Sequence, residues 1–334
     1  MDLPLIWAAL IAFAVLAYVV LDGFDLGVGI LFAVEHDDED RDVMVNTVAP
    51  VWDGNETWLV LGGGGLFAVF PLAYATILPA LYPCVIGMLL ALVFRGVAFE
   101  FRFRAETRTG RLLWDVAFGL GSTVAAFCQG MMLGGLLQGI RVENRAYAGG
   151  WWDWLTGFTI LCGLALVVGY ALLGATWLIW RTEGGLQERC RRYAHYCGAA
   201  LLGLIVVVSL WTPMLHERFA DRWFGWPGIL LTSPVPVLVA VLAWRFWLGL
   251  ARRDELAPFL CVLGWFVLCF AGLGISMFPL MVPPSIDIWQ AAAPRDSQLF
   301  LLVGALVLVP IILIYTAAAY WVFRGKVRPG AHYH

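Results

Sequence analysis

Hydrophobic and polar positions fall in long blocks along this chain, with apolar stretches separated by short charged connections. An apolar stretch of about 20 residues crosses the hydrocarbon core of a bilayer as an α-helix. The pattern predicts nine transmembrane helices, at 5–34, 50–71, 75–98, 112–139, 154–180, 194–213, 228–250, 257–280 and 299–323. We therefore expect an all-α polytopic membrane protein that forms one integral-membrane domain over residues 1–334.

Lysine and arginine are distributed unevenly between the connections that these nine helices define. Sixteen of the 21 lie on the side of the C-terminus and five lie on the side of the N-terminus. Because basic residues concentrate in cytoplasmic connections, the N-terminus is predicted to be periplasmic and the C-terminus cytoplasmic. An even number of helices would mix the two sets, so this segregation favours nine.

Composition agrees with a membrane protein and excludes several functions. Hydrophobic residues make up 61% of the chain and charged residues 13%, whereas soluble domains average about 45–50% and about 25%. The net charge of −3, without a basic cluster, predicts no nucleic-acid partner. The seven cysteines form no CxxC pair, which favours small buried hydrophobes over disulfides or metal ligands.

Two carboxylates, Asp22 and Asp25, lie inside the first apolar stretch. At a spacing of i,i+3 they share one helix face, where Gly23, Gly27 and Gly29 allow another helix to approach closely. A charge at such depth costs roughly 2.5–3.5 kcal/mol, and intramembrane acids usually serve protons or ions. The alternative is that they only pair with an arginine on a neighbouring helix.

A second acidic pair opens the second predicted helix, where Asp53 and Glu56 follow Trp52 at another i,i+3 spacing. A helix N-terminus favours the ionised form of such side chains. On the cytoplasmic side, these residues could collect protons and pass them to Asp25 and Asp22. The alternative is that they only stabilise the start of the helix.

The third predicted helix ends with Arg95 and Glu100. Arg95 is deep enough to neutralise a carboxylate, because an unpaired arginine would be costly there. We hypothesise an Arg95–Asp25 or an Arg95–Asp53 contact, and we assign both Arg95 and Glu100 to charge pairing.

The histidines lie in predicted loops, helix ends or the C-terminal tail, at positions 36, 195, 216, 332 and 334. A chain that binds haem by itself usually places histidine, or histidine and methionine, inside helices. We therefore expect this chain to ligate no haem iron and no other metal. Nucleotide loops, zinc clusters and nucleophilic triads are also not recognisable in the sequence.

Taken together, these residues resemble subunit II of the cytochrome bd-type quinol oxidases. The similar segments are 22–29, 48–59, 94–102, 277–285, 297–300 and 310–316. The most specific is 48–59, Val-Ala-Pro-Val-Trp-Asp-Gly-Asn-Glu-Thr-Trp-Leu. The short connection between the sixth and seventh predicted helices is similar to that of the cyanide-insensitive branch.

The resemblance implies a terminal respiratory oxidase of the bacterial inner membrane that reduces O2 to water with electrons from a quinol. In this family, subunit I carries two b-type haems, haem d and the quinol site, whereas subunit II carries no haem ligand. The family plan is two four-helix bundles plus one peripheral helix. The implied partners are subunit I and a small single-helix accessory subunit, besides membrane lipids.

The resemblance also implies roles for particular residues. The cytoplasmic proton route of the family uses the carboxylate corresponding to Asp53, beside Trp52, and the acid corresponding to Asp25. Some members hold a structural quinone in subunit II, although no motif in this sequence locates one. Two other interpretations remain open at this point: a proton- or cation-coupled secondary transporter, and a purely structural membrane scaffold.

Overall fold

The computed structural model describes residues 1–328 and 330, and these residues are almost entirely helical. The helices are α1 Leu3–Phe32, α2 Asp38–Val48, α3 Trp52–Val69, α4 Pro71–Arg104, α5 Arg108–Gln138, α6 Gly157–Arg181, α7 Gly184–Leu215, α8 Glu217–Phe224, α9 Ile229–Thr232, α10 Pro234–Ala251, α11 Ala257–Met277, α12 Ile288–Ala291 and α13 Arg295–Val322. Two small antiparallel hairpins pair β1 Val142–Glu143 with β2 Ala146–Tyr147, and β3 Leu280–Val282 with β4 Ile286–Asp287. His332 and His334 lie outside the described residues.

Within the described part of the chain, eight helical segments are long and apolar enough to cross a membrane. They are α1, α4, α5, α6, α7, the continuous pair α9–α10, α11 and α13. This confirms the predicted class, an all-α polytopic membrane protein. The additional predicted span corresponds to α3, which has 18 residues but begins with a polar segment that lowers its mean hydropathy.

Several helix boundaries differ from the predicted ones. The predicted helices 50–71 and 75–98 leave a connection at 72–74, but only Phe70 separates α3 from α4, which begins at Pro71, where proline is tolerated in the first turn. Helix α4 continues to Arg104, six residues beyond the predicted end at position 98, and α7 begins at Gly184, ten residues before the predicted start at position 194. Apolar patterning did not find the polar end of α4 or the polar start of α7, because it follows the hydrocarbon thickness and not the helix itself.

Helix α2 was not predicted at all. It is an 11-residue polar helix in the first connection, and the Asp37 side chain caps it by accepting hydrogen bonds from the backbone N–H groups of Glu39 and Asp40. Its buried residues, including Met44 and Val48, pack beneath the ends of the long helices. It is therefore part of the core and not a loose loop.

Helix α1 lies at the centre of the fold and packs against α3, α5 and α6. Helix α5 also packs against α4 and α6, and α6 connects this group to α7 and α11. Helices α10 and α11 form a pair at the far side. The charged residues of α1 are consequently enclosed by neighbouring helices.

The close approach of α1 to α6 depends on two glycines. A Cβ atom added to Gly27 would lie 1.8 Å from the carbonyl oxygen of Tyr170, and one added to Gly174 would lie 2.3 Å from the carbonyl carbon of Gly27. A Cβ on Gly29 would lie 2.0 Å from Ser122 Oγ on α5. The predicted role of Gly27 and Gly29 in helix packing is confirmed.

Replacement of Gly27 by alanine is expected to force α1 away from α6, because the obstructing atoms belong to the backbone and cannot rotate away. Overpacking typically costs about 1–3 kcal/mol, so thermal unfolding of the purified complex should begin several degrees lower. Gly203→Ala is the matched control, since a Cβ there meets nothing within 4 Å. Equal unfolding temperatures for the two variants would contradict this account of the helix interface.

Candidate functional site

Asp22 and Asp25 lie together in the interior, and both are fully buried. Asp25 lies seven residues before the end of α1, or about 10 Å along the helix axis, and Asp22 is one turn deeper. Their shared face points towards α3 and α4, because the glycine face of α1 packs on α5 and α6. The helix sequence thus brings two carboxyl groups to one internal point.

Arg95 of α4 neutralises part of this charge. Its Nη1 atom donates to Asp22 Oδ1 at 2.9 Å, and its Nη2 atom lies 4.0 Å from Asp25 Oδ2. The arginine is itself 1% exposed. The main partner of Arg95 is therefore Asp22, and the hypothesised Arg95–Asp25 contact is the longer of its two contacts with carboxylates. The alternative, an ion pair between Arg95 and Asp53, does not occur in the described residues.

Asn55 of α3 binds the same oxygen of Asp25 that Arg95 approaches. Its amide Nδ2 donates to Asp25 Oδ2 at 2.7 Å and to the Leu21 carbonyl at 3.3 Å. The Tyr320 hydroxyl of α13 donates to Asn55 Oδ1 at 2.9 Å. Sequence reasoning missed Asn55 and Tyr320, although Asn55 lies between the two acids that it selected.

A further polar chain continues from Asp22 towards α5 and α6. The Tyr18 hydroxyl interacts with Asp22 and accepts a hydrogen bond of 2.7 Å from Gln129 Nε2. The Tyr170 hydroxyl donates to Gln129 Oε1 at 2.8 Å. Six helices (α1, α3, α4, α5, α6 and α13) therefore contribute to one buried polar network, and its tyrosine and glutamine members were not predicted.

The charges of the buried cluster do not balance if both of its acids are ionised. The cluster consists of Asp22, Asp25 and Arg95. Two carboxylates and one guanidinium then leave one negative charge, which is costly in an interior of low dielectric constant. One proton shared by the two acids makes the cluster neutral. Asp22 Oδ2 and Asp25 Oδ1 also have no hydrogen-bond partner among the described residues. The arrangement is chemically suited to binding and releasing a single proton.

The other predicted site residues occupy different positions around this cluster. Glu56 is half-buried and interacts electrostatically with Arg95 and Asp22. Trp52 stacks on Phe99, with ring centroids 4.8 Å apart. The structure thus brings Glu56 to the edge of the cluster and Trp52 to the surface of α4.

Asp53 and Glu100 are not part of the cluster. Asp53 lies on the exposed face of α3, turned away from the face that carries Asn55. Glu100 is exposed and pairs with Arg104 at 3.3 Å, one turn along α4. The i,i+3 spacing of Asp53 and Glu56 did not give the rotation of α3 about its axis, which places Glu56 at the edge of the cluster and Asp53 outside it.

A small cavity lies beside Asn55, between α3 and α13. Its volume is about 10 Å³, and its lining includes Asn55, Gly54, Thr316 and Tyr320. A space of this size is close to the minimum that holds one water molecule. Thr316 Oγ1 is buried there without a hydrogen-bond partner, so the cavity offers polar contacts that a water molecule requires.

A layer of ion pairs covers the end of the fold where α1 ends. Arg102 contacts Asp115 and Asp42, each at 2.5 Å, and its guanidinium carbon lies 5.2 Å from the centroid of the Phe32 ring. Nearby, Glu35 is bound by Arg189 at 3.0 Å. Burial raises the pKa of Glu35, but hydrogen bonds from His36, Asp37 and Arg189 outweigh it and leave that pKa below its usual value.

Two of the described histidines lie outside the helices, as the sequence predicted: His36 follows α1, and His216 follows α7, where its Nε2 atom lies 2.7 Å from the carbonyl oxygen of Gln138. The prediction is wrong for His195, because α7 already begins at Gly184 and His195 lies eleven residues inside it. Among the described residues, no three His, Cys, Asp or Glu side chains are grouped as a metal site.

The fold and the site together define a polytopic helical membrane protein with a buried acid–arginine cluster. The model of the cytochrome bd terminal oxidase subunit II family matches residues 3–323. The chain therefore belongs to that family and is a subunit of a terminal oxidase complex. This confirms the resemblance drawn from the sequence and removes the transporter interpretation.

Individual relatives agree with this assignment. Cytochrome bd-I ubiquinol oxidase subunit 2 of Escherichia coli K12 is 31% identical, over 97% of this chain and 95% of the relative. Cytochrome bd ubiquinol oxidase subunit 2 of Bacillus subtilis 168 is 29% identical, over 96% of each chain. A chain of the bd oxidase from Geobacillus thermodenitrificans shares the fold, with a TM-score of 0.81, 18% identity and coverage of 97% and 100%.

Proposed function

We propose that this chain is the haem-free subunit of a bd-type quinol oxidase that supports a haem-bearing subunit I during the reduction of O2 to water. The names of the relatives from E. coli and B. subtilis identify ubiquinol oxidase subunits, which supports a quinol as the electron donor. The two b-type haems and haem d belong to subunit I in this proposal. This chain contributes no iron ligand.

We further propose nine membrane spans in the bacterial inner membrane, with α3 as the additional span. The N-terminus is periplasmic and the C-terminus cytoplasmic, which agrees with the distribution of lysine and arginine. Three further parts of the proposal rest on the family resemblance alone. They are the arrangement as two four-helix bundles with a peripheral helix, a small single-helix accessory subunit, and a structural quinone.

The specific contribution of this chain, in our proposal, is a path for protons from the cytoplasmic side to subunit I. The observation that carries it is the fully buried cluster of Asp22, Asp25 and Arg95, which is neutral only when it holds one proton. A cluster that serves only to pair charges needs one carboxylate for one arginine. The second carboxylate is therefore the group available for proton transfer.

Two groups connect the cluster to its surroundings. Asn55 and the adjoining cavity lie on the side of α13, where a bound water molecule would bring a proton within reach of Asp25. Glu56 lies on the half-exposed side of α3, where a proton can leave or arrive. Asp53 lies on the outer face of α3, with Trp52 nearby. In this proposal Asp53 collects protons, and subunit I would cover this face of α3.

Replacement of Asn55 by alanine tests this arrangement. The change removes the 2.7 Å hydrogen bond to Asp25 and the acceptor of Tyr320. We expect quinol-driven O2 consumption to fall about tenfold, less than the roughly 100-fold or more that a proton-transfer group itself contributes, because Asn55 only positions Asp25. The haem absorption spectrum should remain normal.

Thr57→Ala is the matched control, because Thr57 is exposed on the same helix and its hydroxyl bonds only to the Asp53 carbonyl. It should keep normal turnover. Normal turnover in Asn55→Ala would argue against the path. Loss of haem in Asn55→Ala would instead indicate a scaffold role for this residue.

A further inference from the structure

A second polar feature lies far from the acid–arginine cluster, between the start of α7 and the end of α10. It is an open groove of about 450 Å³. Its polar end is lined by Arg191, Arg192 and Arg253, and its other end by Tyr196 and Trp247. Nothing in the proposed proton path uses these residues.

The groove carries an excess of positive charge. The single acidic side chain in its lining, Glu188, pairs with Arg253 at 3.4 Å. Arg192 forms no ion pair with any described residue and is exposed. The lining therefore holds three arginines and one carboxylate, an excess of two positive charges, so the groove is complementary to an anion.

Arg191 is held in position by the backbone of the α10–α11 turn. Its Nη1 atom donates to the Asp254 carbonyl at 3.1 Å, and its Nη2 atom donates to the Arg253 carbonyl at 3.0 Å. These bonds satisfy part of the guanidinium without neutralising its charge. A bound anion would therefore meet an arginine whose orientation is already set.

The groove lies at the boundary between the polar and the apolar parts of both helices. Beyond it, α7 continues into the apolar segment 199–211, and α10 comes from the apolar segment 235–250. Basic pockets between membrane helices at this level are suited to phospholipid headgroups. Aromatic side chains such as Trp247 and Tyr196 are typical of the same interface.

We propose that this groove binds the phosphate group of an anionic phospholipid, with the arginines around the headgroup and the acyl chains along α7 and α10. The phosphate accepts hydrogen bonds from Arg192 and Arg253, and the glycerol region lies over Trp247. The affinity of the groove for the lipid then depends on both the headgroup and the acyl chains. A free phosphate gains the charge contacts but none of the apolar contacts with the helices.

The test is to purify the whole oxidase complex, reconstitute it in phosphatidylcholine with phosphatidylglycerol, and count the retained lipids by native mass spectrometry. The double variant Arg192→Gln/Arg253→Gln should retain less phosphatidylglycerol, by roughly fivefold for each arginine removed. Retention of phosphatidylcholine should not change. Arg108→Gln is the control, since Arg108 is exposed at the same end of the fold and forms no ion pair among the described residues.

Two results would overturn the proposal. Equal retention of phosphatidylglycerol in the double variant and in Arg108→Gln would show that the groove does not select the lipid. Displacement of the lipid by millimolar inorganic phosphate would show that the groove binds a free anion instead. Persistence of the bound lipid at that phosphate concentration would support the proposal.

Discussion

Cells that carry Arg95→Gln are expected to contain little or no assembled oxidase. The substitution leaves Asp22 and Asp25 fully buried without their cation. Removal of one partner from a buried ion pair typically costs about 3–5 kcal/mol, which is a large part of the stability of most proteins. The measurement is the amount of haem absorbance of the oxidase and of this subunit in isolated membranes.

A second substitution distinguishes lost charge balance from lost packing. Asp22→Asn added to Arg95→Gln removes the carboxylate that pairs with the arginine, so the cluster is again neutral when Asp25 holds its one proton. We expect the double variant to recover a large part of the assembled complex. Arg104→Gln, an exposed arginine on the same helix, should assemble normally.

Failure of Asp22→Asn to restore any assembly would show that Arg95 acts through its shape and packing, for example through its contact with the Phe99 ring at 5.6 Å. Normal assembly of Arg95→Gln alone would contradict the charge balance on which the proposed function rests.

The second large effect is expected for Asp25→Asn, which should assemble with normal haem content but turn over slowly. Asparagine has nearly the shape of aspartate, and the Arg95–Asp22 pair remains neutral, so the fold has no reason to fail. The exchangeable proton of the cluster is lost, however. We expect O2 consumption to fall roughly a hundredfold, at the lower end of what positioned proton-transfer groups contribute.

Glu100→Gln provides the control for Asp25→Asn, because it neutralises an exposed acid on α4 that pairs only with Arg104. Its turnover should equal that of the unmodified enzyme. If Asp25→Asn also turns over normally, the acids of α1 only pair with Arg95 and the chain is a scaffold.

The sequence identified Asp22, Asp25 and Arg95 as intramembrane charges, although it named Asp25 or Asp53, and not Asp22, as the partner of Arg95. Asp22, Asp25 and Arg95 were identifiable because each charge within an apolar stretch is costly and requires a partner. Hydrophobic periodicity likewise predicted the membrane-spanning segments, although not the polar ends of α4 and α7. Both predictions, of the buried charges and of the membrane-spanning segments, depend on a large free-energy cost that can be recognised from neighbouring residues in the sequence.

The uncharged members of the site could not be predicted in the same way. Tyr320 lies 265 residues from Asn55 along the chain, so nothing local in the sequence pairs them. Gln129 and Tyr170 are ordinary residues in membrane helices, and only the packing of α1 against α5 and α6 brings them towards Asp22. The sequence did not give the position of Asp53 for a related reason, since the rotation of α3 about its axis is set by contacts with α1 and α13.

The most direct test of the central claim is the kinetics of proton uptake during a single turnover. Fully reduced oxidase is mixed with O2 in the presence of a pH-sensitive dye, and proton uptake is followed together with haem oxidation. With Asp25→Asn, we predict that the first electron transfer to O2 keeps its rate while proton uptake is delayed well behind it. Proton uptake that follows haem oxidation at the unmodified rate in this variant would contradict the claim that the buried Asp22–Asp25–Arg95 cluster delivers protons.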